Sequence, residues 1–122
     1  MMKNYVTPGK VPFTSNDFFI IRQSIQNLTE HRDMFFMRFR QTKSFLLNEY
    51  NDVIADSCVL FPDQLPFYYD VSIHSLLSII RRLKMLNNFC VAGSDKSCLQ
   101  MSSILSDAIM AFDTVLRRTY DE

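Results

Sequence analysis

Residues 13–61 contain neither glycine nor proline, with Pro12 standing before the stretch and Pro62 after it. Across that span Phe18, Ile21, Ile25, Leu28, Arg32, Phe35, Phe39, Lys43, Leu46, Tyr50, Val53 and Ser57 recur at steps of three and four. This is the period of a helix with one inward stripe. Arg32, Lys43 and Ser57 interrupt an otherwise apolar row. Arg32 is expected either to extend its charged end to water along an apolar stem or to meet a carboxylate.

The start of the helix is well specified. Thr14 as N-cap and Asp17 three residues later form a capping box, and the Asp17 carboxylate suits the positive end of the helix dipole. Phe13 and Phe18 are spaced as a hydrophobic staple over that entry.

Length then creates a conflict. A helix over 15–58 would run about 65 Å at 1.5 Å per residue. A compact domain of this size has a radius of gyration of about 14 Å. One continuous helix is the first reading, with one end projecting toward a partner. The alternative is two helices in line, broken near Glu30–Asp33 or Gln41–Ser44. Two runs of four apolar residues, Phe18–Ile21 and Met34–Met37, cover most of a helix circumference. At those heights burial on more than one side is expected.

The flanks are simpler. Residues 1–13, with Pro8-Gly9 and Pro12, read as an irregular arm, and residues 62–69, with Pro62 and Pro66, as a loop. From residue 70 the chain reads as a helical hairpin. Asp70 is the expected N-cap of a helix over 71–91 with Ile73, Leu76, Leu77, Ile80, Leu83, Leu86, Asn87, Phe89 and Cys90 inward. Gly93 marks its end and Ser94 or Asp95 the next cap. A last helix over 96–119 turns Cys98, Met101, Leu105, Ala108, Ile109, Phe112, Val115, Leu116 and Tyr120 inward. The short turn makes the two antiparallel neighbours. The fold class is all-α: a long N-terminal helical segment packed with a C-terminal antiparallel hairpin, a helical bundle in one domain.

Composition narrows function mainly by exclusion. Thirteen basic residues balance thirteen acidic ones, and residues 1–61 carry seven and six of these. A polarised tail for nucleic acid or anionic lipid is therefore missing. No apolar run reaches eighteen residues, and the first residues show no apolar core of a secretory leader. Three cysteines, an odd number, suit reduced thiols, so a cytoplasmic, intracellular protein without membrane association is expected. Two glycines, neither in a phosphate-binding pattern, leave no nucleotide-cradling loop.

Candidate chemistry is sparse. His74 four residues after Asp70 suggests an oriented imidazole, but no nucleophile accompanies it, and His31 sits among charged neighbours. Cys90 and Cys98 lie eight apart across the turn without metal-ligand spacing, and read as small buried hydrophobes. No catalytic residue, cofactor or metal is assigned. Arg38, Arg40 and Lys43, then Arg81, Arg82 and Lys84, form basic clusters able to touch phosphates if they converge. The plainer reading is solvated helix faces, partly paired with Asp33, Glu49 or Asp113.

The apolar content is more distinctive. Eleven phenylalanines and seven methionines crowd a small chain. Such residues build ordinary cores and also adaptable contact surfaces. Their crowding points to a non-enzymatic interaction protein: an assembly, adaptor or regulatory subunit, self-associating or bound to another helical protein. Phe18, Ile21, Met34, Phe35, Phe36 and Phe39 are the expected interface. The alternative is a nucleic-acid-binding or transcription-regulating bundle using the two basic clusters.

Overall fold

Thr14 starts the first helix as its sequence dictates. Its hydroxyl accepts from the Asp17 amide at 3.1 Å, and its own amide donates to Asp17 Oδ2 at 3.2 Å. The computed structural model describes residues 10–12, 14–39, 44–62, 70–91 and 96–121. Phe13, and with it the expected staple, lies outside them.

Among the described residues, five helices make an all-α bundle: α1 (Ser15–Glu30), α2 (Arg32–Phe39), α3 (Ser44–Leu60), α4 (Ile73–Val91) and α5 (Lys96–Asp121). The expected continuous helix over 14–61 is therefore corrected. Its described residues belong to three helices, and the first suspected break point is used, at His31 between α1 and α2. α3 turns back to pack on α1 and α2, which resolves the length conflict within one chain.

The first break has a visible cause. Thr29 Oγ1 donates to the Ile25 carbonyl at 2.9 Å, and His31 Nδ1 lies 2.9 Å from the Asn27 carbonyl. A carbonyl only accepts, so the His31 proton sits on Nδ1. Tyr50 on α3 donates its hydroxyl to the Leu28 carbonyl at 2.6 Å. Side chains thus engage three carbonyls in the last two turns of α1, those of Ile25, Asn27 and Leu28. Competition of this kind bends or ends helices. The second suspected point falls on residues 40–43, which lie outside the described residues.

The inward stripe survives the breaks. Phe18, Ile21, Ile25, Leu28, Phe35, Phe39, Leu46, Tyr50, Val53 and Ser57 are all buried. Arg32 is exposed and meets no carboxylate among the described residues, while Lys43 lies outside them.

The hairpin of α4 and α5 forms the most extensive helix pair, and α5 also lies against α1 and α2. Asn87 sets its register: its Nδ2 donates to Ser106 Oγ at 3.2 Å and its Oδ1 accepts from Ser102 at 2.7 Å. Fully satisfied polar contacts of this sort favour one alignment of two apolar faces. The turn with Gly93 and the expected caps Ser94 and Asp95 lies outside the described residues.

Two expectations at the edges change. Residues 10–12 of the supposed irregular arm form strand β1 (Lys10–Pro12), paired antiparallel with β2 (Asp70–Ser72) in the register Val11↔Val71. Pro12 sits at the end of the pairing, where its missing N–H does least harm. Asp70 is therefore the first residue of β2, not the cap of α4, and the helical spacing that would join it to His74 is absent.

At the far end of α3, Arg22 Nη1 donates to the Phe61 carbonyl at 2.7 Å. The Phe61 ring meets Phe112 edge-on at 5.6 Å. One core runs through all five helices.

Candidate interaction surface

The runs Phe18–Ile21 and Met34–Met37 are not covered on several sides. Phe18, Ile21 and Phe35 face the core, but Phe19 is 61% exposed, Ile20 39%, Phe36 44% and Met37 74%. Phe45, Val59, Leu99 and Met110 add further large apolar groups to the surface.

The six residues expected to form an interface thus divide. Phe18, Ile21, Phe35 and Phe39 lie inside this chain's own core, and Met34 is half-buried against it. Of the six, Phe36 alone is exposed. Helical period identified the core row and mistook part of it for a docking row. The neighbouring residues Phe19, Ile20 and Met37 carry the exposed apolar area that was sought, and the four-residue apolar runs were the signal for them.

The exposed groups gather at clefts. One, of about 440 Å³, lies between α1 and α5 and is lined by Phe19, Ile20, Asp107, Met110 and Ala111 among others. Another, of about 500 Å³, lies between α2 and α3 and is lined by Arg32, Asp33, Phe36, Asn51, Ile54 and Ala55. A third, of about 390 Å³ between α3 and α4, places His74, Ser75 and Ser78 beside Asp56 and Val59. Its Asp56 is already engaged by Arg82.

The basic cluster on α4 does not stay free as a set. Arg82 Nε donates to Glu49 Oε1 at 2.6 Å, and its Nη1 to Asp56 Oδ2 at 2.8 Å. Partial burial works against the Arg82 charge. The hydrogen bonds and charges of Glu49 and Asp56 outweigh it and raise the guanidinium pKa. Arg82 is thereby a clamp between α4 and α3 rather than a free phosphate contact. Arg81 and Lys84 are exposed on α4. Arg40 and Lys43 lie outside the described residues, as does the side chain of Arg38. Replacing Arg82 with methionine is expected to cost about 1–2 kcal/mol, between a surface pair and a buried one. Urea denaturation reads this, and the gap between wild type and variant should narrow as salt rises.

Cys90 and Cys98 are buried thiols, and Cys58 is exposed. His31 is a helix-end residue bound to its own chain. Among the described residues, no three His, Cys, Asp or Glu side chains gather as they would around a metal. Among them, too, no helix is long and apolar enough to cross a membrane. Comparison with known protein families, curated proteins and solved structures gave no match.

Proposed function

We propose that this chain is a non-enzymatic interaction module, an assembly, adaptor or regulatory subunit that self-associates through an apolar helix face. The observation that carries the reading is the exposed apolar area on α1, α2 and α5, above all the exposed Phe36 and Met37 on α2. Contiguous exposed apolar groups rimmed by polar ones are typical of contact surfaces. Aromatic and methionine side chains are the types enriched there.

Nucleic-acid binding draws less support. Of the two basic clusters, Arg82 is held by carboxylates, and α4 offers only Arg81 and Lys84 from its own set.

Size exclusion coupled to light scattering tests the proposal. The wild type is expected at twice the chain mass of 14.3 kDa at high concentration. Replacing Phe36 and Met37 with aspartate is expected to give a folded monomer, since neither side chain is part of the core. A wild type that stays monomeric at high concentration would remove the self-association reading.

A further inference from the structure

The clefts differ in one respect that bears on what each can receive. Across the α2–α3 cleft, Arg32 and Asp33 stand next to each other and both line the opening. Both are exposed, and neither makes an ion pair or hydrogen bond among the described residues. An unpaired cation beside an unpaired anion is self-complementary under a two-fold axis. In such a contact residue i meets residue j while j meets i. An axis passing between the two would set each guanidinium against the other copy's carboxylate.

The same cleft holds an unmet acceptor. The side-chain oxygen of Asn51 is buried and has no hydrogen-bond partner. A guanidinium carries five N–H donors in a planar fork. One entering the cleft has donors to spare for the Asp33 carboxylate. Phe36, Ile54 and Ala55 supply the apolar part of the lining.

The α1–α5 cleft lacks this symmetry. The charged residue in its lining is Asp107, so a two-fold contact there brings two carboxylates together.

We infer that the α2–α3 cleft docks a second copy of this chain about a two-fold axis, with Arg32 of each copy paired to Asp33 of the other. The inference rests on the self-association proposed above and names the face and the contacts that make it.

Charge exchange tests it, with sedimentation equilibrium as the readout and circular dichroism as the check on folding. Both residues are exposed, so each variant is expected to fold as the wild type does. Arg32→Asp alone, or Asp33→Arg alone, places like charges opposite each other twice. Each is expected to raise the dimer dissociation constant roughly tenfold or more. The double variant R32D/D33R restores both pairs and is expected to return within about threefold of wild type. An equimolar mixture of the two single variants also matches every charge, and is expected to dimerise where each alone does not.

Dimeric wild type with no rescue, in either the double variant or the mixture, overturns this geometry and leaves self-association standing. So does dimeric wild type with single variants that bind as well as it does. Monomeric wild type throughout overturns both.

Discussion

Replacing Phe35 with alanine is expected to destabilise the fold by about 3–5 kcal/mol, the range for emptying an aromatic site in a core. Phe35 is fully buried, with the Tyr50 ring stacked at 4.4 Å and the Phe39 ring at 4.9 Å. Its removal opens a void where α2 meets α3, between rings held by two different helices. Neither can collapse into it without moving its backbone. A domain of this size has about 5–15 kcal/mol in all, so the loss is a large share. The midpoint of thermal unfolding should fall by roughly 10–20 °C. Phe36→Ala is the matched control. That ring is 44% exposed, and its loss should cost about 1 kcal/mol or less in dilute solution. Equal losses at the two positions would mean that the inward face of α2 is assigned wrongly.

Tyr50 is the second test, because one hydroxyl connects a kink to a fold-back. Tyr50→Phe keeps the ring stacked on Phe35 but leaves the Leu28 carbonyl without its 2.6 Å donor. Leu28 is among the last four residues of α1, whose carbonyls have no following turn to serve them. Leaving it bare inside the protein is expected to cost about 1–3 kcal/mol at neutral pH.

The pH dependence gives an independent signature. Burial keeps the Tyr50 phenol neutral and raises its pKa well above the ordinary value. The neighbouring Cys90 adds to the rise, and Arg32 opposes it by less. A group whose pKa is higher when folded stabilises the native state fully below the unfolded value, about 10 for tyrosine. That stability is lost as pH rises from there toward the folded value. The unfolded chain releases its proton first, so the slope is about −1.4 kcal/mol per pH unit. Urea denaturation at pH 9, 10 and 11 should show wild type losing stability faster than Tyr50→Phe. Parallel curves would mean that Tyr50 is not sealed from solvent as described.

Much of this arrangement can be read along the chain. The row from Phe18 to Val53 obeys one period, and each of its apolar members is buried. The Thr14–Asp17 box is a contact over three residues, so local sequence specifies it completely. The hairpin helices begin and end within two residues of the expected bounds, because the apolar period runs through both.

The failures share a cause as well. Thr29 and His31 both prefer their own backbone carbonyls to an uninterrupted ladder, but the kink they make is joined by Tyr50 from twenty-two residues away. No local pattern announces that partner. Strand β1 finds β2 sixty residues later through backbone groups that every residue carries. The basic clusters read as partly paired, but which carboxylates hold Arg82 was open, because Glu49 and Asp56 lie on another helix.

By itself, then, the sequence determined helix, period and inward row, since these depend on contacts within a few residues. The tertiary structure decided that residues 13–61 fold back on themselves instead of reaching out. It also decided which members of each apolar run are covered. A helix presents every side of its circumference alike until its neighbours dock. Only their positions separate Phe35 in the core from Phe36 and Met37 at the surface.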